Sequence, residues 1–191
     1  MSEVFVDTNE WFKINWLSLI FKITHYQQLR TKNSQDMNVN ISYDNNHISN
    51  SASTKFLGLI IDKTLSRKNH IHQLMSKLSS VCCAVRTIKA FMLQETLTMI
   101  YFSYIYSIMT YGITFWGNSP YSINIFRIQK RIIRIITNSR NRDSCRELFK
   151  YLKILSLYLQ YIFSLLIFVV KNKDHIENQI KIFIALILTY H

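Results

Sequence analysis

Only three glycines, Gly58, Gly112 and Gly117, and one proline, Pro120, interrupt the 191 residues. So few chain breakers argue against a turn-rich β-sandwich and for long helices. Apolar residues make up 49% of the chain and aromatics 14%, too much for a disordered tail and enough for the core of one ordinary domain.

Hydrophobic periodicity divides the chain near residue 68. Before it, residues 3 to 16 carry Val4, Phe5, Trp11, Phe12 and Ile14 with acids early and Lys13 late, the pattern of a short amphipathic helix. Leu17 to Leu29 is short and apolar, and Thr31 to Asn38 is a polar turn region. NVNISY at Asn38 to Tyr43 alternates with period two, Asp44, Asn45 and Asn46 have turn chemistry, and Lys55 to Asp62 is β-rich. These predict a small antiparallel piece. From His70 the spacing becomes helical, with candidates at His70 to Ala90 and Gln94 to Phe115 separated near Phe91 to Leu93. Gly112, Gly117, Asn118 and Pro120 mark a break, after which Ser122, Asp143 and Ser156 are the candidate caps of three more helices. The expected fold is therefore α+β and mostly helical: a hairpin-bearing fragment over 1–67, a helical bundle over 68–171 and a divergent apolar tail over 172–191.

Lys and Arg outnumber Asp and Glu by 23 to 11, a net charge of +12 that suits a polyanionic partner, nucleic acid first and anionic membrane second. The charge is concentrated in FRIQKRIIRIITNSRNRDSCRELF, Phe126 to Phe149. Arg127, Lys130, Arg131 and Arg134 fall at i, i+3, i+4 and i+7, one face of a helix whose remaining positions hold Ile125, Ile128, Ile132, Ile133, Ile135 and Ile136. Arg140, Arg142, Arg146 and Lys150 follow, offset only by Asp143 and Glu147. Arginine forks suit phosphate oxygens and would bind them in a salt-sensitive, sequence-independent way. A solvated helix face is the plainer alternative.

Enzyme chemistry is harder to find. Two-metal phosphoryl transfer needs converging carboxylates, and the eleven acids are scattered with no Asp-Asp pair. His70 and His72, spaced to point to different sides of a helix start, do not suggest a metal site, and Ser79, Ser80 and Cys82 lack a nucleophile context. No cofactor is expected. Cys82, Cys83 and Cys145 have no C-x-x-C spacing and fit idle thiols in a reducing compartment; with acids and no basic leader at the start, the expected location is intracellular, cytoplasm or nucleus. Ile154 to Val170 carries no formal charge between Lys153 and Lys171, which admits a small basic membrane-associated protein as an alternative. The run is at the short limit for a span and is broken by Ser156, Tyr158, Gln160, Tyr161 and Ser164, so a buried bundle helix is expected instead.

Several stretches taken together resemble the C-terminal part of a non-LTR retrotransposon reverse transcriptase of the jockey-like group. They are EWFKINWLSL, STKFLGLIIDKTLSRKNHI, LMSKLSSVCCAVRTIK, YFSYIYSIMTYGITFWGNS, IFRIQKRIIRIITNS and RDSCRELFKYLKILSLYLQYIFSLLIFV, in the family's order over about residues 8 to 171. The resemblance implies an RNA-directed DNA polymerase as parent, with the end of the palm followed by a thumb-like region that holds RNA template and DNA primer. It implies that Phe56, Leu57 and Gly58 match the primer-grip hairpin, the glycine letting backbone pass close to the primer and the apolar residues packing the hairpin down. Tyr111, Gly112, Trp116 and Gly117 match a Tyr-Gly…Trp-Gly stretch of packing and turn residues. The basic helix and RDSCR match a region facing nucleic-acid phosphates. The family's catalytic aspartates, which hold Mg²⁺, lie in palm segments with no counterpart here, and Ile23, beside Lys22, occupies the place of a lysine that assists departure of pyrophosphate. The expectation is a truncated copy that lacks the N-terminal palm and the fingers and grips phosphates without polymerising. The apolar run Ile182 to Leu188 would be sticky if exposed.

Overall fold

A computed structural model of the protein describes Asp7, Ile20 and residues 10–17, 24–31, 41–43 and 46–177. The expectations for 3–6, for Ile23, for 32–40, for Asp44 and Asn45 and for Ile182 to Leu188 lie outside the described residues. The fold is α+β and mostly helical. Its contacts divide it into two compact units, Met1–Asn69 and His70–His191.

In the first unit, residues 10–14 are helical. Strands β1 (His25–Tyr26), β2 (Ile41–Tyr43) and β3 (Asn46–Asn50) form one sheet in the order β1-β3-β2. The β2–β3 pair is antiparallel, as its alternation predicts, with Ile41 opposite Ile48. The parallel β1–β3 pair has no such signal, because two residues are too few to show a period; His25 Nδ1 meets Ser49 Oγ at 2.7 Å across it. Strands β4 (Ser53–Phe56) and β5 (Leu59–Asp62) form a hairpin with Phe56 opposite Leu59. Leu57 and Gly58 are therefore a two-residue turn, with φ of 45° and 80°, the double positive φ of a type I′ turn. Gln27 Nε2 donates to Ile61 O at 3.0 Å and Arg30 N to Lys63 O at 2.9 Å, which ties the chain after β1 to this hairpin. Asp62 closes the unit: its carboxylate accepts from Ser66 N at 2.8 Å, Ser66 Oγ at 2.8 Å and Thr64 Oγ1 at 3.1 Å. Burial alone would raise its pKa, but the hydrogen bonds from Ser66 and Thr64 outweigh it and hold the carboxyl below its ordinary value.

The second unit is a bundle whose first helix, α1 (Lys68–Ile88), buries a stripe of Ile71, Leu74, Leu78, Cys82 and Val85 at helical spacing. Each large aliphatic side chain buried this way contributes about 2 kcal/mol. His70 is buried beside the rings of Phe115 and Trp116, each 6.4 Å away between centroids, whereas His72 is exposed. Burial, helped by the charge of Lys77, pushes the His70 pKa down. All three cysteines are free; Cys82 and Cys145 are buried and Cys83 is exposed.

The single helix expected over Gln94 to Phe115 is four pieces. These are α2 (Gln94–Ile100), a π-helical turn Tyr101–Tyr106, α3 (Ser107–Thr110) and α4 (Ile113–Trp116). Hydroxyls compete with the ladder throughout: Thr98, Ser103, Ser107 and Thr110 each donate to a carbonyl three or four residues back. Gly112, at φ 61°, then takes the left-handed conformation that separates α3 from α4. Trp116 is fully buried, and its indole N–H donates to Tyr111 O at 3.1 Å. At Gly117 a Cβ would lie 2.5 Å from Cδ2 of Tyr161 and 2.7 Å from Ile113 O, so the absence of a side chain is what lets the helix that carries Tyr161 approach.

Among the described residues the chain continues with α5 (Ser122–Ile136), α6 (Cys145–Tyr151) and α7 (Leu157–Lys171), and residues 173–177 are also helical. Their expected caps need correcting. Ser122 is the first helical residue and caps nothing with its side chain; Tyr121 is the N-cap, its N–H 3.4 Å from Ser119 Oγ. Ser144, not Asp143, caps α6, accepting from Arg146 N. Ser156 does precede α7, but its side chain makes no cap bond; Gln129 Oε1, from α5, accepts from Leu157 N at 3.0 Å instead.

Helix α7 also departs from the buried bundle helix predicted for it. Only Leu157 and Gln160 are buried, with Tyr161 and Ser164 partly so, and from Leu165 to Val170 every side chain is exposed. Ile154 and Leu155 lie ahead of the helix, which shortens the apolar run. Among the described residues, no helix is long and apolar enough to cross a membrane.

Candidate nucleic-acid interface

Helix α5 is built from isoleucines, whose β-branched side chains are indifferent helix formers, so burial rather than propensity holds it. Ile125, Ile128, Ile132, Ile133 and Ile136 are buried in the bundle, while Ile135 is only partly so. Gln129 is buried among them. Its amide donates to Tyr101 Oη at 2.9 Å and to Leu155 O at 3.0 Å while capping α7.

The cations on the opposite face divide into two kinds. Arg127 and Arg131 are exposed, Arg127 also reaching Asn124 Oδ1 at 3.1 Å. Lys130 and Arg134 are half-buried. Lys130 places its ammonium 4.7 Å from the centre of the Phe126 ring. Arg134 donates from Nε and Nη2 to the carbonyl of Asp143 at 3.2 and 3.0 Å, which ties the following loop to α5.

That loop starts with a Schellman-type ending of α5: Asn138 sits at φ 57°, Ser139 N donates to Arg134 O at 3.0 Å, and Lys89 Nζ donates to Asn138 Oδ1 at 2.6 Å. The Asp143 carboxylate accepts from Arg140 N at 2.7 Å, and Glu147 pairs with Lys150 at 3.1 Å. Arg140, Arg142 and Arg146 are exposed. The β4–β5 hairpin and the basic stretch belong to different units. Phe56 and Leu57, expected to pack that hairpin down, are 60% and 72% exposed at its tip. Turn geometry explains Leu57, because a two-residue I′ turn sends its central side chains into solvent; Phe56 is the last residue of β4, a strand whose four residues are all exposed.

The pattern of charges did not single out the aromatic side chains beside them. Phe126 and Phe149 stack with centroids 6.1 Å apart and planes 23° apart, and Tyr158 meets Phe126 edge-on at 5.1 Å. Phe126 and Phe149 are the only aromatics of that stretch and stand 23 positions apart, so no local spacing signals their stacking. Among the described residues no group of three or more His, Cys, Asp or Glu side chains is placed to hold a metal ion. No family model, curated protein or solved structure matches the chain.

Proposed function

We propose that the chain represents the C-terminal part of an RNA-directed DNA polymerase of a non-LTR retrotransposon, and that this part binds RNA and DNA phosphates without regard to sequence. The observation that carries the reading is the state of the charges. Arg127, Arg131, Arg140, Arg142 and Arg146 are exposed, while the acids interspersed with them are engaged, Asp143 by the Arg140 amide and Glu147 by Lys150. A row of exposed guanidinium forks with its neighbouring carboxylates already engaged favours an added polyanion. On this reading Phe56, Leu57 and Gly58 are the primer-grip tip, and Mg²⁺ and polymerisation belong to palm segments of the parent enzyme.

Two measurements test it. Affinity for a short RNA–DNA duplex should fall steeply with salt, and changing Arg127, Arg131 and Arg142 to Ala should lessen the log–log slope by about 2 to 3. A flat salt dependence would remove the basis for the proposal. Incubation with primed RNA template, Mg²⁺ and nucleotides should yield no extension; synthesis would contradict it.

A further inference from the structure

A cleft of about 640 Å³ opens between the basic face of α5, the length of α6 and the start of α7. Its volume is that of a small-molecule site rather than of a surface crease. The wall is apolar, made by Phe126, Phe149, Leu155 and Leu159, and the rim carries Lys130, Arg146, Lys150 and Lys153. Glu147, on the same helix as two of these cations, is paired with Lys150.

We propose that this cleft takes an unpaired nucleobase of a single strand, with the base against the Phe126–Phe149 pair and its phosphates on the rim cations. The proposal rests on the phosphate-binding reading and adds to it a preference for unpaired strands. Three features select this occupant. Phe126 and Phe149 both line the cleft, and every base has a π face to lay on an aromatic ring. Four cations lining one cleft are more than a single anionic headgroup needs, and suit a strand that carries several phosphates. Exposed Arg127 and Arg131 are the chain neighbours of the lining residues Phe126 and Lys130, so a strand leaving the cleft meets further cations on α5. Lys130 rests over the Phe126 ring; its flexible stem lets the ammonium move from ring to phosphate as a base enters, uncovering the ring. Charged groups surround an apolar, aromatic floor, the combination used by proteins that hold single strands without reading sequence.

The test compares a short single-stranded RNA with the same oligonucleotide carrying abasic sites, titrated against the full chain at one salt concentration. The abasic strand should bind about tenfold more weakly, with an unchanged salt slope, and Phe149→Leu, which keeps apolar bulk but loses the ring, should remove the difference. Equal affinity of the two strands overturns the cleft proposal while leaving phosphate binding intact. Absence of binding by either strand at low salt overturns both. Sedimentation with phosphatidylserine vesicles that Phe149→Leu abolishes, together with equal affinities for the two strands, would assign the cleft to lipid and also overturn it. Should Phe149→Leu fail to fold, the two strands on the unaltered protein still decide.

Discussion

The amide of Gln129 donates a 2.9 Å hydrogen bond to the hydroxyl of Tyr101, inside the helical unit where both side chains are almost fully buried. The same glutamine holds Leu155 O and Leu157 N, so one side chain joins α5, the π-helical turn and the start of α7. Gln129→Ala would strand those groups in the interior and should cost about 3 kcal/mol. Tyr101→Phe removes one partner and should cost about 1 kcal/mol. Chemical denaturation followed by circular dichroism checks both, and a Gln129→Ala loss no larger than that of Tyr101→Phe would refute the joint role.

Burial pushes the Tyr101 hydroxyl up to about 12, against an ordinary value of 10.0. Because the folded value is the higher one, the unfolded chain loses its proton first, and stability present below pH 10 declines as pH rises towards 12. Alkaline unfolding of the helical unit should therefore be steeper in that window for the unaltered protein than for Tyr101→Phe. Melting temperature against pH measures it.

Depressed titration acts at the other end of the scale for His70. Its folded pKa lies below the ordinary 6.5, so the unfolded chain takes up a proton first, and stability is lost as pH falls from about 6.5 through the folded value. His70→Phe, which cannot be protonated, should flatten that acid limb of the melting curve.

Gly117 faces the Tyr161 ring with no room for a methyl group. Gly117→Ala should destabilise by about 1 to 3 kcal/mol through displacement of α7. Combining it with Tyr161→Ala should recover part of the loss, and a double-mutant cycle measures the coupling.

At the hairpin tip Leu57 occupies a left-handed conformation that a branched side chain resists. Leu57→Asn suits the first position of a type I′ turn and should stabilise the hairpin by about 0.5 to 1 kcal/mol. Slower amide exchange of the β4–β5 hydrogen bonds is the readout, and faster exchange would count against the turn assignment.

The sequence by itself determined a helical class with a small sheet, because scarce glycine and proline and the apolar spacing of α1 and α5 are local properties. It also placed the cations on one face of α5, since their offsets depend only on helix geometry. Tertiary structure decided what those cations do. Arg134 and Lys130 are drawn to a loop carbonyl and an aromatic ring, while Arg127 and Arg131 remain exposed. It also turned Gln129, a polar letter in an isoleucine helix, into the cap of α7, and left most of α7's apolar surface uncovered where a buried helix was expected. Both outcomes have one physical cause: periodicity says which residues share a face, but a hydrogen bond or a buried surface needs a second segment whose approach no local pattern encodes.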